Sequence, residues 1–235
     1  MTAKSARVRK TTTYDPCAHG ALCSLCSLNH KTPVPPSFPK GAVFAVVGEA
    51  PGGNEVRLGR GFVGASGVLL DRLLRAAKIE RSQILISNVI LCRPEHNDLA
   101  RLRARIRQEN TAEKRLAKTE KREPLLTLDP VLCCAPRLYG EIAALWLDAR
   151  AKKLRRPSIV PTGNTSLEAL TGKSGVLKRQ GSMIKATLPW LKRRLDSISK
   201  LATTARQFSI PLSSTEITAS GQGQASSFLN EEIPF

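Results

Sequence analysis

The chain carries 37 Lys and Arg against 19 Asp and Glu in 235 residues, a formal charge of +18. Its length suffices for one well-buried core with residues left for tails, and a pI of about 10.3 predicts a polyanionic partner, nucleic acid first. No run approaches the roughly 18 apolar residues of a membrane span, and residues 1–10 are charged without an apolar signal segment, which excludes a membrane partner and predicts a cytoplasmic protein.

In chain order, residues 1–16 are basic and Thr-rich and are expected to form a disordered arm. The folded domain is placed at 17–200. It opens on a cysteine-bearing stretch, Cys17 to Pro39, which Pro33, Pro35, Pro36 and Pro39 break too often for regular structure. Residues 42–48 read as a first core strand. Val68, Leu69, Leu70, Leu73, Leu74 and Ala77 recur at helical spacing and predict an amphipathic helix over 66–78. A second strand is expected at 84–89. Residues 98–123 hold many Arg and Lys, sparse Leu and Ala, and no Gly or Pro. They predict an exposed helical insertion outside the core, either a solvated face or a DNA-contacting arm.

Leu138, Ile142, Leu145 and Trp146 mark another core helix, 158–162 a third strand, and 163–170 a helix behind an N-cap candidate. Residues 181–186 are a candidate short strand. From about Thr203 the chain turns rich in Ser, Thr, Gly and Gln, so 201–235 is placed as a flexible tail. Strands alternating with helices predict an α/β fold, a three-layer α/β/α domain around a central, mainly parallel sheet.

Two strand ends carry the chemistry. The first delivers Gly48-Glu-Ala-Pro-Gly52 and then a Gly-rich loop with Phe62 at 59–64, and the second delivers Asn88 and Cys92. Ligands of open α/β sheets bind at that carboxyl edge. A carboxylate, an aromatic ring and an amide are thus expected in one crevice. The six cysteines of a cytosolic chain are expected as thiols or metal ligands. Cys23-Ser-Leu-Cys26 can clasp one metal centre, with Cys92 and one of Cys133 or Cys134 completing a sulfur site. Spacing alone leaves zinc and an iron–sulfur cluster both open.

This order of residues resembles the family-four, iron–sulfur branch of the uracil-DNA glycosylase superfamily over roughly Cys23 to Ala186. The resemblance implies a 4Fe-4S cluster on Cys23, Cys26, Cys92 and Cys134, the last in Cys134-Ala-Pro-Arg-Leu138, with zinc as the alternative. It implies a uracil pocket in which Asn88 reads the O4/N3 edge, Phe62 stacks on the ring, Glu49 lines the O2 side and Glu55 stands against C5. Asn97 would orient the attacking water, so that Glu49 and Asn97 are the catalytic candidates. The family's late His-Pro-Ser-like motif has no match, since His19, His30 and His96 all come early; either Leu188-Pro189 stands in its place or the last strand and loop are missing.

The last residues, ending Glu-Glu-Ile233-Pro234-Phe235, resemble the C-terminal tip of bacterial single-stranded DNA-binding protein. That resemblance implies docking of Ile233, Pro234 and Phe235 on enzymes that bind such tips, in a bacterial or phage replication setting. The expected protein is a monomer that binds uracil-containing DNA, single- or double-stranded, and hydrolyses the N-glycosidic bond. The alternative is a catalytically weak adaptor that keeps the fold and recruits a replication or repair enzyme through its tip.

Overall fold

Two faces of a short sheet select the helices that cover them. In the computed structural model, which describes residues 14–184, strands β1 (Phe44–Gly48), β2 (Ile84–Asn88) and β3 (Ser158–Pro161) pair in parallel in the order β2-β1-β3. Side chains alternate across a strand. Val46 of β1 therefore packs with Ile84 and Ile86 of β2 against Phe62 and Leu74. Its neighbour Val47 points the other way, into a core with Leu138, Ile142, Ala169 and Leu170.

The first face is covered by helix α2 (Ala65–Ala76), preceded by the short α1 (Gly53–Leu58). The second is covered by α3 (Leu99–Thr119), α4 (Pro130–Ala151) and α5 (Asn164–Thr171), and α6 (Val176–Arg179) follows. The expected three-layer α/β/α arrangement with an all-parallel sheet is what forms. Asp98 caps α3 by accepting from Arg101 N at 2.8 Å, and Asp129 caps α4 by accepting from Val131 N at 2.9 Å, with Pro130 in its first turn.

Several expectations change in detail. The stretch before β1 holds single 3₁₀ turns at Cys17–His19 and Cys23–Leu25 and isolated bridges from Cys26, Pro33 and Ser37, with no strand or α-helix among the described residues. On α2 the spacing Gly67, Leu70, Leu74 faces the sheet, while Val68, Leu69 and Leu73 are exposed. The charged insertion does not lie outside the core. Leu99, Leu102 and Ile106 are all buried in the same cluster as Val89 and Ile90, because one apolar residue per turn is enough to dock a helix that is otherwise charged. The return segment is pinned to α3 as well: Asn110 and Thr127 exchange hydrogen bonds of 2.8 and 3.0 Å, and Arg122 pairs with Glu113 at 2.6 Å. Residues 181–184 form no strand. Residues 1–13, Leu188-Pro189 and the tail with Ile233, Pro234 and Phe235 lie outside the described residues. Among the described residues no helix is long and apolar enough to cross a membrane.

Candidate functional site

Parallel register sets Gly48 beside Asn88 at the carboxyl ends of β1 and β2. Gly48 has no side chain, and the space that leaves is filled from two sides. A Cβ built there would collide with Asn88 Oδ1 and stand 2.9 Å from Phe62 Cζ. Glycine is thus the residue that lets the amide and the aromatic ring close on one point. Asn88 is buried, yet among the described residues its carboxamide has no hydrogen-bond partner. A buried polar group normally finds one, so this amide is available to a ligand.

Phe62 is buried with φ 55°, in the left-handed region that a bulky residue adopts only under constraint. Three groups supply the constraint. Arg81 Nη2 donates to the carbonyls of Gly61 and Phe62 at 2.5 and 2.8 Å, while its Nη1 pairs with Asp71 at 2.7 Å. Gly67 lies against the Phe62 carbonyl, where any Cβ would clash. Glu55 Oε1 accepts from the amides of Val63 and Gly64 at 2.9 and 2.7 Å. Burial raises the Glu55 carboxyl, but these amides, with those of Glu55 and Gly52, outweigh it and hold the group below the usual glutamate range. Glu55 thus grips the loop that carries Phe62.

The remaining expected residues take nearby but separate places. Glu49 follows β1 directly, and its Oε2 accepts from Thr165 Oγ1 in the first turn of α5. Asn97 is exposed with φ 60°, and its Oδ1 accepts from Arg93 Nε at 2.6 Å. That guanidinium lies over Gly53, with Arg93 Nη1 3.1 Å from where a Gly53 Cβ would be. Gly48, Phe62 and Asn88 therefore form one constellation, Glu55 buttresses it, and Glu49 and Asn97 flank it through Thr165 and Arg93.

Sequence reasoning passed over the group that holds β2 in place. Arg137 of α4 is fully buried and donates through Nη2 to the carbonyls of Asn88 and Val89 at 2.7 and 3.0 Å. Its Nη1 donates to Glu141 Oε1 at 2.6 Å and to Ser87 Oγ at 3.0 Å, and Ser87 Oγ donates to Glu141 Oε2 at 2.7 Å. The guanidinium Nε is buried without a hydrogen-bond partner. The i,i+4 spacing of Arg137 and Glu141 inside an apolar helix is the one signal of this pair in the sequence.

The expected metal ligands gather on the far side of that network. Cys26 closes the 3₁₀ turn begun by Cys23, donating its amide to the Cys23 carbonyl at 3.0 Å, and Cys92 bridges to Pro33 beside them. Cys26 and Cys92 pack against the cluster that contains Cys134. All six cysteines are free thiols. Burial pushes the Cys92 thiol up to about 12, with Cys134 and Cys26 adding to the shift. Burial also raises Cys134, against the pull of Arg137, and Cys23, with Cys17 adding to it. Cys133 holds the Cys26 thiol below its ordinary value. Cys17 and Cys133 thus act electrostatically on Cys23 and Cys26. Among the described residues no three His, Cys, Asp or Glu side chains are placed to hold a single metal ion. The donor set nevertheless suits an iron–sulfur group, which is held by cysteine thiolates, two of them here in a Cys-x-x-Cys turn.

The pattern of the Uracil DNA glycosylase superfamily matches residues 35–215 of this chain, well over half of it and all of the pocket. The match begins after Cys23 and Cys26. Curated relatives are similar over shorter spans. The Type-4 uracil-DNA glycosylase of Sulfurisphaera tokodaii is 43% identical over 79 residues, 32% of this chain and 36% of that protein. That of Pyrobaculum aerophilum is 40% identical over 77 residues, covering 32% and 39%. That of Thermotoga maritima is 51% identical over 51 residues, covering 22% and 27%. The chain thus aligns with less than two-fifths of the length of these relatives. Sheet order aside, it is the extent of the superfamily match that decides membership: the chain belongs to the uracil DNA glycosylase superfamily.

Proposed function

We propose that this protein binds DNA and excises uracil by hydrolysing its N-glycosidic bond. The observation that carries the reading is the convergence of Asn88 and Phe62 on Gly48 at the carboxyl edge of the sheet. An extrahelical base needs a pocket that reads its edge and stacks its face. The unpartnered Asn88 amide offers a donor and an acceptor that complement uracil O4 and N3–H, and Phe62 offers the stacking face, worth about 1–3 kcal/mol. Glu55 serves the pocket by fixing the Phe62 loop, besides any contact with C5. Glu49 and Asn97, held by Thr165 and Arg93, are assigned to the attacking water. Cleavage develops negative charge on uracil O2, so fixed donors at the turn after β1 contribute more than a strong base would. The test is incubation of purified protein with uracil-containing single- and double-stranded oligonucleotides, followed by alkaline cleavage. Strand scission at uracil and none at thymine is expected, and no scission on either substrate overturns the reading.

We also propose that Cys23, Cys26, Cys92 and Cys134 hold a 4Fe-4S cluster. When bound, it supplies iron–thiolate bonds joining the amino-terminal stretch, the exit of β2 and the start of α4. Protein purified without oxygen should be brown and contain iron and acid-labile sulfide in equal amounts, and Cys92→Ala should lose both colour and iron. A colourless protein with one zinc would favour the zinc alternative. The tail is proposed to dock on enzymes that recognise single-stranded DNA-binding protein tips through Ile233, Pro234 and Phe235. Deleting residues 230–235 should abolish such binding and leave DNA affinity unchanged. Retention of every partner by the shortened chain would show that the tail serves no docking role.

A further inference from the structure

Helix α3 sorts its charges. At 3.6 residues per turn, Arg101, Arg107, Lys114, Arg115 and Lys118 fall within about 140° of arc, on the side turned away from buried Leu102, Ile106 and Ala117. All five are exposed, and none has a side-chain ion pair or hydrogen bond among the described residues. No acidic residue falls in that arc. Glu109 and Glu113 lie on the opposite flank, where they pair with Arg105 and Arg122. A helix face that serves only solvation mixes its signs and pairs them at i,i+4. This one keeps its acids aside and its cations free. Small residues lie between the arginines, so that Ala104, Thr111 and Ala112 with Arg107 and Arg115 line a shallow open depression.

The placement matters as much as the charge. The helix starts at Leu99, directly after the Glu95–Asn97 turn whose Asn97 accepts from Arg93, and Leu99 packs with Val89 and Ile90, which follow Asn88 at the end of β2. It is no loose arm, because Leu99, Leu102 and Ile106 anchor one end in the core and the Asn110–Thr127 and Glu113–Arg122 contacts hold the other. From Arg101 to Lys118 the face extends about 25 Å at 1.5 Å per residue, enough to follow several phosphates of one strand.

We propose that the outward face of α3 is a sequence-independent docking surface for the sugar–phosphate backbone of DNA flanking the base in the pocket. The inference rests on the reading of this chain as a DNA-acting protein, and it adds which element supplies the phosphate contacts. Arg107, Lys114, Arg115 and Lys118 take phosphates as point charges and forks, carrying affinity and its salt dependence, while Asn88 and Phe62 carry base selection.

The test compares two variants of the full-length protein that lose the same charge. One is Arg107→Gln/Lys114→Gln/Arg115→Gln/Lys118→Gln. The other is Lys40→Gln/Lys78→Gln/Lys153→Gln/Arg155→Gln, four exposed cations just before β1, β2 and β3, at the opposite edge of the sheet. Gln is nearly as good a helix former as Lys or Arg, and equal helical circular dichroism checks that α3 persists. Binding to undamaged duplex DNA is measured from 50 to 300 mM salt. The α3 variant should bind at least about tenfold more weakly at low salt, with a log–log salt slope shallower by about 2–3, since each lost phosphate contact removes about 0.9. The control should keep most of both, and the preference for uracil over thymine should not change in either. Equal losses in the two variants would mean that net charge alone acts, and an unchanged α3 variant would mean that the face serves another partner. Either outcome overturns the inference. Because the DNA is undamaged, its result stands apart from the excision assay, whose failure would touch the glycosylase reading alone.

Discussion

Asn88→Ala is expected to lower uracil excision by at least about 10²–10³-fold, the usual cost of removing one fixed donor aimed at the reacting group. The fold should barely notice. The Asn88 carboxamide has no partner among the described residues, and what Arg137 grips is the Asn88 backbone carbonyl, which alanine retains. Salt-sensitive DNA binding should likewise persist, because the proposed phosphate contacts lie on α3 and not in the pocket. Gly48→Ala offers an independent check of the same geometry, since its new methyl would displace Asn88 Oδ1 and the Phe62 ring without altering any polar group. Both variants should lose excision and keep duplex affinity. Wild-type excision by either one would remove the pocket from the Asn88–Phe62–Gly48 constellation.

The second large effect belongs to Arg137. Arg137→Met leaves Glu141 buried without its cation, and breaking a buried pair from one side costs about 3–5 kcal/mol. Urea unfolding should show that loss. The double variant Arg137→Met/Glu141→Leu removes both charges and fills their volume, a change that is often neutral or stabilising, so most of the lost stability should return. Excision should not return with it, because the carbonyls of Asn88 and Val89 would still lack their clamp. A double variant that recovers stability and full excision together would make the pair a core feature with no bearing on the site.

The fold was legible wherever periodicity was strong and the layers simple. The three strands fall within two residues of their expected bounds at 44–48, 84–88 and 158–161, because short apolar runs ending in Gly, Asn or Pro have few alternatives. Phe62 and Asn88 were legible from motif and resemblance, and the structure sets them together across Gly48. The insertion was read as lying outside the core because its composition is charged, yet three apolar residues at i, i+3 and i+7 suffice to dock it. Arg81 and Arg137 escaped because each acts through backbone carbonyls about 20 and 50 residues away. No local pattern records such a contact, since a carbonyl has no sequence identity.

The Ser87 hydroxyl, caught between Arg137 and Glu141, has a bearing on how the chain finds its pairing in the first place. In a strand, shifting the register by one residue turns every side chain to the opposite face. β2 is apolar at Ile84, Leu85 and Ile86, so hydrophobic burial alone distinguishes the two registers poorly. A slipped strand would carry the Ser87 hydroxyl to the Phe62 side and press the Asn88 carboxamide into α4, leaving the Arg137–Glu141 pair facing the wrong polar group. A sheet aligned that way would leave the buried Arg137–Glu141 pair without the Ser87 hydroxyl that joins it in the native register.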